Sequence, residues 1–342
     1  MPLVHAEEIT YTQVQRLRKD RSIAFLSASA LEVHGPHLPL GMDMFMARWM
    51  AEETARRFAE AHPDWTVALY PHVPLGTDEL PLPGSIDGTQ QTVYRALLAH
   101  GASLAQTGFG YAVVTNGHGG PRHAAALEAA CRAVSRRHHI EMFSPSIAVL
   151  YGIVRGGRHP QLEESLGRPL ADNEREGLLH GEHAGTMETS FALAERPEQV
   201  EGTYPELGQL GPPPFKPLAA AGRLVAPLAR RRVENFEEIS EGLAGGVGWL
   251  LNAHYGYGGE PVTYQGDPSA ASAELGTAIR ETMAQGCLEY VERVTSGEMA
   301  AVDVRSIASD AAVIQPGFWQ RLGLMSAVAV GAATLVWAMS RR

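Results

Sequence analysis

The sequence predicts an α/β fold of three layers, with helices on both faces of a mostly parallel central sheet and a hydrophobic helix added at the C-terminus. Three observations carry this expectation. Short apolar runs alternate with helix-like stretches through the first two-thirds of the chain. Polar loops rich in Gly and Pro follow several of those runs. A chain of 342 residues, 45% of them hydrophobic, can bury a large core.

Taken in order, Ile23 to Ala28 (IAFLSA) reads as a short buried strand, followed by the loop EVHGPHLPLGMD and a helix over Met44 to Glu60. Trp65 to Tyr70 is a second strand, and the Pro/Gly-rich PHVPLGTDELPLPGSIDGT after it demands a loop. A helix is expected over Thr92 to Thr107, a third strand over Gly110 to Thr115, and a helix over Ala124 to Arg137. Ile147 to Val154 reads as a fourth strand. The polar stretch Gly156 to Gly181 reads as an excursion, either a lid or a subunit contact, and Leu210 to Pro217 as a turn-rich or polyproline segment. A Gly/Pro loop from Gly256 to Gly276 leads into a last helix over Ala270 to Val294.

The domain organisation that follows is one domain over 1–294, a linker over 295–317 and a hydrophobic tail over 318–342. From Leu322 to Met339 no charge appears, with Arg321 before, Arg341 and Arg342 after, and Trp337 near the end. That run is only just long enough to span a bilayer, so two readings stand: a membrane anchor, or a buried or oligomer-packing helix.

A net charge of −10 argues against a broad phosphate-binding face, so no nucleic-acid partner is expected. The two cysteines, Cys131 and Cys287, form neither a C-x-x-C motif nor a disulfide framework, which fits a reducing compartment. The start MPLVHAEEITYTQ lacks the basic and apolar regions of a secretory signal. The expected location is cytoplasmic, with the tail as the means of any membrane attachment.

The chemistry lies in three clusters. Glu32, His34 and Asp43 share the loop after the first strand, where E-x-H puts a carboxylate and an imidazole on alternating positions. Alone, that pattern is equally a solvated loop. His118 stands in NGHGG at the mouth of the third strand, where flanking glycines allow close backbone approach or simply make a turn. EHAGTMETS, from Glu182 to Ser190, adds His183 and Glu188; by itself it reads as a helix start or exposed loop. Together the clusters offer oxygen and imidazole donors and no thiolate, a set suited to Zn, Mn or Fe in one pocket.

Here the chain resembles the creatininase family of metal-dependent amidohydrolases. The resemblance rests on LEVHGPHLPLGMD (Leu31 to Asp43), TNGHGG (Thr115 to Gly120), EHAGTMETS and YQGDPSAASAELG, and spans about residues 20–290. It implies two divalent ions, one held by Glu32, Asp43 and His118, the other by His34, Asp43 and Glu188, with Asp43 bridging. It implies further that His183 is the acid/base histidine, with Glu182 orienting it or touching substrate, and that the chain forms a homo-oligomer. The expected activity is hydrolysis of a C–N bond in a cyclic amide, a formamide or a peptide end by metal-activated water. Two alternatives accompany it: a peptidase that matures a peptide-derived cofactor, and an inactive, membrane-tethered metal-binding scaffold. The departures from the family pattern are Gly120 where creatininase itself has Glu, Pro121 for the usual Asn, Leu80 and Leu82 where a histidine often stands, and Thr186 where many relatives have Glu. No Trp occurs between Trp65 and Trp249, so the flat ring of creatinine is a poor substrate candidate.

Overall fold

Successive residues of a strand point to opposite sides, so a run that is apolar on both parities must be covered on both faces. All eight residues of Ser22–Ser29 are buried. Ile23 and Phe25 pack with Ala51, Ala55, Phe58, Val67 and Val113 on one side. Ala24, Leu26 and Ala28 pack with Val93, Leu97, Ala126, Ala130 and Val134 on the other. This is the middle of a three-layer α/β/α sandwich, as expected.

The structure is a computed structural model and describes residues 3–17, 19, 21–179, 182–211, 216–229, 236, 240, 244–245 and 262–318. Its strands are β1 (Val4–His5), β2 (Ser22–Ser29), β3 (Thr66–Leu69), β4 (Val73–Pro74), β5 (Tyr111–Thr115) and β6 (Glu141–Phe143). Its α-helices are α1 (Tyr11–Gln15), α2 (Met42–Ala61), α3 (Gln90–Thr107), α4 (Pro121–Arg137), α5 (Ser146–Val154), α6 (His159–Leu166), α7 (Asp172–Leu179), α8 (Thr186–Glu195), α9 (Lys216–Ala229) and α10 (Ala273–Thr295). The sheet runs β1-β3-β2-β5-β6, β4 pairs with the end of β2, and every pairing is parallel. α3 and α4 cover one face; α2 and α10 cover the other.

The connections decide where a ligand can sit. From β2 the chain turns through α2 to β3 on one side, whereas from β5 it turns through α4 to β6 on the other. Neighbouring strands whose connections diverge leave a crevice beyond their carboxyl ends. The loops after β2 and β5 flank that crevice.

Several expectations need correction. Ile147 to Val154 is helical, not a fourth strand, and Ser146–Val154 forms α5 with Ile147, Val149, Leu150 and Ile153 buried. The sheet is instead extended beyond β5 by the three-residue strand β6. Gly156 to Gly181 holds two helices, α6 and α7, the first with a Pro near its start and Gly167 in a left-handed C-cap at φ 68°. Lys216 and Pro217 open α9 rather than continuing a polyproline segment, while residues 212–215 lie outside the described residues. Thr295 to Gly317 packs on the body: Ala301, Val304 and Ala308 are buried, and the carboxylate of Glu128 on α4 accepts from the Ser306 N–H at 2.9 Å and from the Ser309 hydroxyl. The hydrophobic run Leu322 to Met339 lies outside the described residues. Among those described, no helix is long and apolar enough to cross a membrane.

Candidate metal centre

Two helix starts and two strand ends meet in the crevice. The loop after β2 folds back on itself, with the Glu32 N–H donating to the Leu40 carbonyl at 3.0 Å, and this turns Glu32 and His34 inward. Asp43 is the second residue of α2 and Glu188 the third of α8. Both carboxylates thus sit in first turns, where the helix dipole favours negative charge. His118 follows β5 in a loop held by side chains: its own N–H donates to Asn116 Oδ1 at 2.9 Å, Asn116 Nδ2 donates to the His118 carbonyl at 2.7 Å, and the Ser29 hydroxyl donates to Asn116 Oδ1 at 2.9 Å. Gly117 is required here, because a Cβ on it would collide with the Asp43 carbonyl oxygen.

The five residues expected to be ligands come together. His118 Nδ1 lies 3.0 Å from Glu32 Oε2 and 3.1 Å from Asp43 Oδ2. His34 Nε2 lies 3.2 Å from Asp43 Oδ1 and 3.5 Å from Glu188 Oε2. Each triad, Glu32-Asp43-His118 and His34-Asp43-Glu188, has its donor atoms within 4.8 Å of one another, and Asp43 gives one oxygen to each. A third overlapping group joins Glu32 and His34 to His183, whose Nδ1 is 4.0 Å from Glu32 Oε2 and whose ring lies 4.4 Å from that of His34.

The far nitrogen of each histidine faces a backbone carbonyl, which can only accept. His34 Nδ1–H donates to the Glu32 carbonyl at 3.0 Å, His118 Nε2–H to Thr77 at 3.1 Å, and His183 Nε2–H to Val33 at 2.7 Å. The tautomers are thereby set, and the nitrogens facing the carboxylates must either carry a second proton or offer a lone pair to a cation. Both solutions supply positive charge, and the site demands it. Glu32, Asp43 and Glu188 are 2%, 0% and 4% exposed, and three carboxylates of formal charge −3 cannot stay ionised in so dry a place without cations. Two carboxylate oxygens, Glu32 Oε2 and Asp43 Oδ2, are buried with no hydrogen-bond partner unless His118 Nδ1 carries a second proton. The donor set therefore fits hard or borderline divalent ions.

Without ions, protons carry the balance. Burial opposes the charged form of His34, but Asp43 and Glu188 outweigh it and hold its pKa at about 10. His118 is raised well above its ordinary value against the same opposition, by Glu32 and Asp43. Asp43, despite complete burial, is pulled far below the carboxylate range by His34 and His118. Glu188 is raised by burial, and Glu182 is raised well above its ordinary value by burial and by Glu188 beside it.

Glu182 stands just ahead of α8. Its Oε1 accepts the Glu188 N–H at 2.9 Å, so the carboxyl caps the open end of α8. The Ala184 N–H donates to Glu188 Oε2 at 2.6 Å from a backbone at φ 53°, fixing the carboxylate that faces His34.

Sequence reasoning passed over the segment Thr77 to Leu80. Thr77 supplies the carbonyl that receives His118, and the Leu80 N–H donates to Glu32 Oε1 at 2.6 Å. Leu80, noted as a departure from the family pattern, thus serves the site through its backbone, which no side-chain comparison registers. His123 on α4 was also missed. Its ring stands edge-on to His118 at 5.3 Å, and burial together with His118 lowers its pKa to about 3, so it walls the site as a neutral ring. Glu79 is 3% exposed and burial raises its pKa to about 9, which keeps it protonated at neutral pH. The free cysteines are buried in α4 and α10 and offer nothing to the centre.

Residues 7–291 match the family described as creatininase, creatinine amidohydrolase. Among solved structures, a creatininase with Mn shares 17% identity at a TM-score of 0.55, over 85% of this chain and 98% of the other. A Bacteroides fragilis NCTC 9343 protein provisionally described as a creatinine amidohydrolase shares 20% identity at a TM-score of 0.56, over 85% and 95%. A creatininase variant of a Zn-Zn type shares 17% at 0.51, over 86% and 98%. At such identities the likeness concerns the fold. No curated protein matches the chain.

Proposed function

The chain belongs to the creatininase family of metal-dependent amidohydrolases, and on that premise we propose that it hydrolyses a C–N amide-type bond of a cyclic amide, a formamide or a peptide end at a two-ion centre. The observation that carries this reading is Asp43, whose two oxygens face two separate triads. Glu32, Asp43 and His118 would hold one ion and His34, Asp43 and Glu188 the other, with Zn, Mn or Fe fitting the donors. Divalent ions held by these residues would supply the Lewis acidity that makes a water nucleophilic near neutral pH and that polarises an amide carbonyl.

The chain's own groups do the rest. His183 is the most exposed side chain of the cluster at 13%. Its Nε2–H is committed to the Val33 carbonyl, so only Nδ1 is able to take up a proton and return it to the leaving amine. Glu182 holds the start of α8, and through it Glu188, in place. Replacing His183 by Gln keeps a polar group but removes the proton carrier. Turnover is expected to fall about 10²- to 10⁴-fold with bound metal unchanged. Equal turnover would remove His183 from the reaction.

Assembly into a homo-oligomer, implied by the resemblance, has a candidate surface on α9, where Leu224 and Leu228 are 82% and 72% exposed. The test of the whole proposal is Mn- or Zn-reconstituted protein against a panel of cyclic amides, formamides and short peptides. New amine or carboxylate product supports it. Full metal occupancy with no product from any amide would instead favour a non-catalytic scaffold.

A further inference from the structure

The Thr77–Leu80 segment touches both protein ligands that one triad does not share with the other. Thr77 receives the His118 Nε2–H, and the Leu80 N–H binds Glu32 Oε1. Between them stands Asp78, with its backbone at φ 78°, one of two described residues other than Gly with positive φ, the other being Ala184. A carboxyl-bearing residue tolerates that conformation better than most but still prefers others. Something must therefore hold it. The Asp78 side chain is 6% exposed, and its Oδ2 accepts the Arg122 N–H in the first turn of α4 at 2.6 Å while Oδ1 accepts from Arg122 Nε.

The space it occupies exists because residue 120 is Gly. A Cβ there would lie 2.8 Å from Asp78 Cβ and 2.9 Å from the Thr77 carbonyl oxygen, and would collide with His118 Nε2. The family departures at Gly120 and Pro121 thus sit where the segment presses on the loop. Pro121 begins α4 without an N–H, which leaves the Arg122 N–H as the first donor of the helix, and Asp78 takes it.

We propose that Asp78 is a positioning residue for the Glu32-Asp43-His118 half of the centre, acting through Thr77 and Leu80, and that Gly120 supplies the space for it. The inference rests on the two-ion reading above. It makes the two halves unequal: the hydrogen bonds of Thr77 and Leu80 to the centre go to His118 and Glu32, so loosening Asp78 weakens one ion more than the other.

The experiment compares wild type, Asp78→Gly and Asp78→Asn. Gly suits the positive φ but removes the acceptor, whereas Asn suits it and keeps an oxygen for the Arg122 N–H. Mn titration of each full-length protein reads the ions, and hydrogen exchange of the Leu80 amide in the metal-free protein reads the clamp. In Asp78→Gly one of two Mn equivalents is expected to bind about 10-fold or more weakly, the usual cost of losing a group that orients a ligand. Leu80 is expected to exchange faster, while β2 and α4 keep their rates and Asp78→Asn behaves as wild type. Both equivalents unchanged, both weakened alike, or Asn failing as Gly does would overturn the proposal. If wild type binds fewer than two Mn, the two-ion reading fails and the clamp is judged on Leu80 alone: faster exchange only in Asp78→Gly upholds it, unchanged exchange overturns it. Gly120→Ala gives a second approach, with the same one-ion loss expected and two unaltered equivalents counting against it.

Discussion

The sheet core and the crevice at its edge are both dry, yet they are built on opposite terms. Around Phe58, the core buries Ile23, Phe25, Val67, Val113 and Val291, all apolar and all 0% exposed, so every contact there favours the folded state. The crevice buries Glu32, His34, Asp43, His118 and Glu188 almost as completely. There the contacts between like charges oppose folding, and only protons or metal ions reconcile them. The comparison teaches that this fold stabilises itself at the sheet and spends some of that stability at the strand ends, so substitutions in the two regions should separate fold from metal.

The sharpest way to break that separation is Asp43→Ala. Both ions and all turnover should be lost, while the metal-free variant should keep its circular dichroism. Retention of two metals per chain, read by elemental analysis, would refute the shared role of Asp43. Phe58→Ala should do the converse. Truncating a fully buried Phe costs about 3–5 kcal/mol, read by urea unfolding, and the surviving folded protein should still take up metal at the wild-type ratio. A core variant that lost metal selectively would erase the distinction.

A smaller effect separates the regions by pH. His34 in the metal-free protein has a folded pKa of about 10, above its ordinary value of 6.5. A raised base contributes stability that is fully present below the unfolded value and lost as pH rises through the folded one. Metal-free protein should therefore lose stability between pH 6.5 and about 10, and saturating metal should flatten that slope, because an ion then replaces the proton. A second pH effect is at Glu79, an acid whose folded pKa of about 9 exceeds its ordinary 4.5. Keeping it neutral stabilises nothing at high pH: the unfolded chain sheds the proton first, so stability falls as pH rises between those values. Glu79→Gln should raise the melting temperature at pH 8 and leave it little changed at pH 4. An unchanged melting temperature at pH 8 would show that Glu79 is already ionised in the folded protein.

The two regions also differed in how openly the sequence declared them. β2, β3 and β5 were legible because each is a short apolar run ending at Gly, Pro or a polar loop, and α3 and α10 because of their length and periodicity. Ile147 to Val154 was misread because an apolar run of that length has the same composition in a buried strand and in a buried helix. α5 is buried nearly all round, so no polar face betrays its period. The pieces α6 and α7 carried usable signals, a Pro near the start of α6 and Gly167 at its end, masked by the polar composition around them. In the crevice, Glu32, His34, Asp43, His118 and Glu188 were legible as donor types in loops after strands. What was not legible is whatever acts through the backbone. The Thr77 carbonyl, the Leu80 N–H and the left-handed Asp78 depend on where the chain runs, and side-chain identity does not encode that.

The most direct measurement of the central claim is anomalous scattering from crystals of Mn-loaded protein. Two peaks are expected on either side of the Asp43 carboxylate, one against Glu32 and His118 and the other against His34 and Glu188. A single peak, or peaks that leave Asp43 without a metal on one of its oxygens, would contradict it.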